Sequence, residues 1–207
     1  MFILGLTGSI GMGKSTAAAL LRRQGVAVHD ADATVHRLFA RGGAAVPHIA
    51  REFPGVVVDG AVDRAALGRI VFGDPDALAR LEAIVHPMVR AATRRFLAAQ
   101  ARQRRDIVVL DIPLLYESSS QNRCDGVIVV SAPAFLQAQR VLRRPGMTDR
   151  KFAAILARQL PDRLKRRRAD WIVTSSLGKG VTYRQLRAII RKVRKCGIPR
   201  VWRPGYR

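Results

Sequence analysis

A lysine and a hydroxyl side chain stand together at Lys14 and Ser15, inside the stretch GLTGSIGMGKST (residues 5–16). The spacing is Gly8, four residues, then Gly13, Lys14 and Ser15, which fits G-x-x-x-x-G-K-[ST]. Those residue types at that spacing suit one chemistry, the cradling of a polyphosphate. Backbone N–H groups must turn inward on phosphate oxygens, and a Cβ at the glycines would obstruct the turns or the phosphates. Lys14 then reaches the β- and γ-phosphates, and the Ser15 hydroxyl is the expected Mg²⁺ ligand. A helix that starts immediately afterwards adds unsatisfied N–H groups and a favourable dipole. A glycine-rich turn of no function needs neither the lysine nor the hydroxyl.

A second candidate cluster is the pair Asp30 and Asp32 in the run DAD. Phosphoryl transfer to an alcohol needs a carboxylate beside the attacking hydroxyl, to accept its proton or orient it. One aspartate suits that task and the other a water-mediated contact to Mg²⁺. Equally, either one suits the cap of the helix that follows. Asp111 ends another apolar run and is a candidate metal-side carboxylate, with Glu117 shortly after it. His29, His36, His48 and His86 show no metal-ligand spacing with one another or with cysteine. The guanine-binding N-K-x-D and the switch motif D-x-x-G are absent, which favours a small-molecule kinase over a GTPase.

These groups need a scaffold that brings loop ends together. Residues 2–6, 26–30, 106–112, 126–132 and 170–174 read as short buried strands, and 15–23, 30–40, a segment after Pro133, 151–168 and 183–195 as helices. Strands alternating with helices predict a parallel sheet covered on both faces. In such sheets ligands lie beyond the carboxyl ends of the strands, where the glycine loop and DAD both fall. Residues 63–105 carry helical spacing only, with a break at 73–75 and strain at His86-Pro87, since a residue before proline avoids the helical region. That block predicts a helical insertion.

Charge is distributed unevenly. Lys and Arg total 37 against 15 acids, a net +22; residues 1–139 hold 16 basic and 12 acidic side chains, whereas residues 140–207 hold 21 and 3. A segment so basic calls for polyanionic company, a phosphate-rich substrate or nucleic acid. Aromatic stacking spacing is lacking in the tail beyond Trp202 and Tyr206, so specific nucleic-acid binding is not expected. No apolar run approaches the roughly 20 residues that cross a bilayer. Cys124 and Cys196 form no C-x-x-C pair, which predicts reduced thiols in a cytoplasmic protein.

GLTGSIGMGKST, VHDADATVH, VHP (85–87), LDIPLLYE (110–117) and RPGMT…ILARQ…K…RAD (144–170) occur in that order. Together they resemble the dephospho-CoA kinase family over about residues 3–175. The resemblance implies an α/β P-loop NTPase three-layer fold: a core of 1–60, 106–140 and 169–195, a helical substrate-binding insertion at 61–105, a helical lid at 141–168, and a basic tail at 196–207. It implies transfer of the ATP γ-phosphate to the ribose 3′-hydroxyl of dephospho-CoA, the final step of CoA biosynthesis. By position, Asp32 is the catalytic carboxylate, assisted by Lys14 and Arg140. Gly8, Gly11, Met12, Gly13, Lys14, Ser15, Thr16 and Arg144 hold ATP. Asp32, His86, Gln159 and Lys165 meet the substrate, and Arg140 and Arg144, four apart on one helical face, serve as lid arginines. Arg166 to Arg168 read as a solvated face. Thr174 and Ser175 depart from the aspartate and asparagine the family often carries there. Two rival readings remain: a kinase for another nucleoside or nucleotide, and a nucleotide-gated nucleic-acid binder.

Overall fold

The runs IVVLD and GVIVVS are buried along their whole length, as the interior strands of a parallel sheet must be when both faces are covered. The computed structural model describes residues 1–196, so the expected tail at 196–207 lies, but for Cys196, outside the described residues. In chain order, β1 (Phe2–Thr7), α1 (Lys14–Arg23) and β2 (Ala27–Asp30) precede α2 (Ala31–Phe39), α3 (Val46–Glu52), β3 (Val57–Val58), β4 (Ala61–Val62), α4 (Arg64–Val71) and α5 (Pro75–Arg102). Then follow β5 (Ile107–Asp111), β6 (Gly126–Ser131), α6 (Ala134–Leu142), α7 (Asp149–Ala157), α8 (Asp162–Arg168), β7 (Trp171–Thr174) and α9 (Lys179–Lys195). The chain divides into two compact units, Met1–His29 with Ala99 onward, and Asp30–Ala98.

In the first unit the strand order is β2-β5-β1-β6-β7, and β1 pairs in parallel with both β5 and β6. Aspartates at the strand entries extend these ladders. Ile3 N–H donates to Asp125 Oδ2 at 2.9 Å and Val127 N–H to Asp170 Oδ2 at 2.8 Å. The core joins Leu4, Leu6, Leu21, Ile128 and Val130 to Leu186, Ile189, Ile190 and Val193. The last four recur at helical spacing along α9, so one apolar stripe lies on the sheet side and the cations face water. Cys124 is buried and Cys196 exposed, and no disulfide joins them.

The second unit has a core of its own, built from Phe39, Val46, Ile49, Phe53, Val62, Leu67 and Val85. Since α2, α3 with its C-cap Phe53, and the β3–β4 hairpin supply the first five, residues 30–60 group with the helices at 61–98, rather than with the strands expected to own them. Helix α5 runs unbroken through Pro87, against the expected strain at His86-Pro87. Buried Val85 and the packed Met88 and Val89 flank the proline, and their burial offsets its lost N–H bond.

Two further expectations are corrected. The helix predicted over 151–168 is two, α7 and α8, because Pro161 stands between them as the N-cap of α8. Helix α6 ends at Leu142, so Arg144 lies in the turn beyond it and shares no helical face with Arg140. Among the described residues no helix is long and apolar enough to cross a membrane.

At Gly126 an added Cβ would lie 2.6 Å from Trp171 Cζ3 and 3.1 Å from Cη2. Gly126→Ala must therefore displace an indole packed against the core. It is expected to lower stability by about 1–3 kcal/mol, the usual scale of overpacking, measured as a lower urea midpoint with unchanged slope.

Candidate phosphate-binding site

The glycine loop leaves β1 under close constraint. Thr7 Oγ1 donates to Pro113 O at 2.9 Å. At Gly8 a Cβ would sit 2.6 Å from Val130 O, the backbone of the neighbouring strand, so nothing larger than hydrogen fits. Gly13 has φ 88° as N-cap of α1, a left-handed conformation that glycine adopts without cost. A Cβ there would also meet Ser175 Cβ and Oγ at 3.0 Å.

Side chains from distant elements then take hold of the loop's carbonyls one after another. Gln137 Nε2 on α6 donates to Ile10 O at 2.8 Å. Arg140 Nη1, one turn on, donates to Gly11 O at 3.3 Å. Ser175 Oγ, beyond β7, donates to Met12 O at 2.8 Å. In a trans peptide the N–H points opposite to the C=O it follows, so fixing these carbonyls on one side directs the N–H groups of Gly11 and Gly13 to the other. Two further bonds close the frame: Met12 N–H to Ser9 O at 3.1 Å, and Ile10 N–H to Gln159 Oε1 at 3.0 Å.

The first N–H groups of α1 lack intrahelical acceptors by construction. Its N-terminus has neither a side-chain cap nor an acidic residue in the first turn, and Ser15 is exposed there. This end of the helix carries a positive dipole that no acidic residue of its own first turn neutralises. Lys14 Nζ binds Asp111 Oδ1 at 2.7 Å, with side-chain exposures of 14% and 2%. The parallel register sets Leu6 beside Asp111, which brings the strand-end carboxylate to the lysine. Among the described residues no group of three or more His, Cys, Asp or Glu forms a metal cage. A Mg²⁺ ion held mainly by phosphate and water, with one hydroxyl from Ser15, is compatible with this donor set.

The other predicted site residues are placed as follows. Arg140 commits its guanidinium to protein: beyond Gly11 O, it donates from Nη1 to Ser175 Oγ and from Nη2 to Ser175 O, both at 2.8 Å. Arg144 is exposed, as are Arg166, Arg167 and Arg168. Lys165, fully buried, pairs with Glu117 Oε1 at 3.0 Å, and the same oxygen accepts Leu160 N–H at 2.7 Å. In the second unit Asp30 caps α2 by accepting Ala33 N–H at 2.9 Å, the alternative its position had left open. Asp32 is exposed in the first turn of α2, and His86 is exposed on α5. His36 meets Arg64 Nη1 at 2.9 Å.

Sequence reasoning missed Gln137 and the role of Ser175. Gln137 is a polar residue on the buried, four-spaced face it shares with Val141, a weak signal available in advance. Ser175 stood out only as a departure from a family pattern.

A parallel sheet with an anion-directed loop at its carboxyl edge defines the chain as an α/β protein of the P-loop kinase class. Solved structures agree on the fold: a Campylobacter jejuni dephospho-CoA kinase (TM-score 0.63, 23% identity, 92% of this chain and 96% of that one) and an Acinetobacter baumannii shikimate kinase (TM-score 0.52, 17% identity, 96% of each). The structure of TT1252 from Thermus thermophilus is nearer, with TM-score 0.80 and 40% identity over 92% of this chain and 97% of that one. The family model described as dephospho-CoA kinase matches residues 2–179. Dephospho-CoA kinases of Paramagnetospirillum magneticum and Rhodospirillum rubrum are 70% and 56% identical, covering 80% and 99% of this chain and 78% and 97% of their own lengths. The chain belongs to the dephospho-CoA kinase family.

Arg140→Lys leaves a charge but not a fork, and a single ammonium cannot serve Gly11 and both Ser175 oxygens together. The expected result is a loss of about 1–3 kcal/mol in stability, with faster amide exchange across residues 10–13 by mass spectrometry. Glu117 gives a pH test. Burial raises its carboxyl, but the Leu160 N–H and the Lys165 ammonium overcome that and hold it below the ordinary 4.5. Its stabilisation is therefore full above the unfolded value and is lost as pH falls through the lowered folded value. Glu117→Gln should flatten that acid limb in a melting-temperature series from pH 6 to pH 3.

Proposed function

We propose that this chain transfers the γ-phosphate of ATP to the ribose 3′-hydroxyl of dephospho-CoA, giving CoA. The observation that carries the reading is the loop whose carbonyls at Ile10, Gly11 and Met12 are tied away by Gln137, Arg140 and Ser175. Family membership supplies the acceptor. On this reading the N–H groups of Gly11 and of residues 13–16 hold the β- and γ-phosphates, while Met12 N–H stays with Ser9 O, and Lys14 shares its ammonium between Asp111 and phosphate oxygen. The Ser15 hydroxyl would hold Mg²⁺, which supplies charge neutralisation when bound. Asp32 is the proposed group beside the acceptor hydroxyl, and its exposed carboxylate on α2 supports that choice. His86 is proposed on the acceptor side. Arg140 acts through the loop it holds, while exposed Arg144 is the proposed phosphate contact in a lid at 141–157, the part of the expected 141–168 that precedes the junction held by Glu117. A cytoplasmic site of action belongs to the same reading.

Incubation with ATP, Mg²⁺ and dephospho-CoA should yield a product one phosphate heavier by mass spectrometry, and no such product from adenosine or shikimate offered alone. Asp32→Asn should leave ATP affinity nearly intact and lower turnover about a hundredfold or more, the scale of a lost proton-handling group. Equal loss of ATP binding would move Asp32 to the metal. Lys14→Ala should impair both binding and turnover.

A further inference from the structure

The short junction between α7 and α8 delivers a side chain to the phosphate loop, and it is pinned on both flanks. Gln159 Oε1 accepts the Ile10 N–H at 3.0 Å. Its neighbour Leu160 donates N–H to Glu117 Oε1 at 2.7 Å, and Pro161 fixes the next backbone angle as N-cap of α8. Asp162 Oδ2 accepts Ser131 Oγ at 2.7 Å, from the end of β6. Glu117 is itself held by Lys165, whose side chain is 0% exposed against 19% for the glutamate.

A buried ammonium paired with one carboxylate is a poor device for stability, because desolvation consumes most of the Coulombic gain. What it does well is fix geometry. Gln side chains lose considerable rotamer freedom when ordered. A rigid backbone beneath Gln159 leaves only its own torsions to freeze when it takes the Ile10 N–H. We propose that Glu117, braced by Lys165, is a positioning residue for nucleotide binding. It locks the α7–α8 junction so that Gln159 holds the loop in its phosphate-ready shape. This rests on the reading of the glycine loop as the ATP site. It also gives Gln159 and Lys165 protein partners in place of the substrate contacts that family resemblance implies for them.

The test measures ATP dissociation constants by calorimetry alongside melting temperatures. Gln159→Ala should weaken ATP about tenfold, the scale of one hydrogen bond to a preorganised loop, with little change in melting temperature. Glu117→Met paired with Lys165→Met removes both charges together and avoids a stranded buried ion. It should weaken ATP by a similar factor, with a melting temperature lowered by no more than the one hydrogen bond that Leu160 N–H gives up. The triple variant should be no weaker than Gln159→Ala, since both changes act through one contact. Wild-type affinity in Gln159→Ala or in the paired variant overturns the proposal, and so do effects that multiply in the triple. Failure of the unaltered protein to bind ATP would instead overturn the reading of the loop, and this proposal with it.

Discussion

Backbone N–H groups can all face one anion only if the carbonyls between them are turned away and kept there. That constraint organises the first unit. A loop of glycines has no intrinsic preference for such a shape, and its freedom would have to be given up on each binding event. Here Gln137, Arg140 and Ser175 take the carbonyls of Ile10, Gly11 and Met12 in sequence, and Gln159 takes the Ile10 N–H. The loop's conformation is thus borrowed from helix α6, the α7–α8 junction and the segment after β7. Each of those is in turn fixed by the sheet: α6 and β7 follow β6 and its buried core, and the junction is tied to the loop after β5.

Much of this order was readable from residue types. The strands announced themselves as short apolar runs, since a parallel sheet buried on both faces has no polar alternation to hide behind. The loop was readable because its chemistry is local: Gly8, Gly13, Lys14 and Ser15 lie within one turn of chain. The partners that hold it were not. Gln137 and Ser175 lie 127 and 163 residues from the carbonyls they bind, and nothing in a local pattern encodes such a pairing. Lys165 illustrates the same limit, since it looks like its neighbours in KRRR, yet it is buried while they are exposed. Helical phase within a short run, set by Pro161, separates them.

The second unit was harder to delimit for a different reason. Residues 41–62 contain no long periodic segment, and the hairpin of Val57–Val58 with Ala61–Val62 is too short to signal a sheet. Their allegiance is decided by a shared core with Leu67 and Val85, a tertiary fact. At Pro87 local preference pointed to strain, and packing on either side carried the helix through it. Asp30 went the other way, since its capping role follows from its place before α2 and is what the structure displays.

The contact between Lys14 and Asp111 has a consequence for selectivity. The ammonium begins with a buried counter-charge 2.7 Å away, so an arriving anion must compete for it. A lone chloride gains a share of one cation and a few N–H groups at most. A chain of phosphates meets the helix terminus and several loop N–H groups in the same event, and so outweighs the resident carboxylate. On the proposed reading the aspartate sets a threshold: an anion that meets the lysine alone competes poorly with it, and one long enough to span loop and helix terminus competes well.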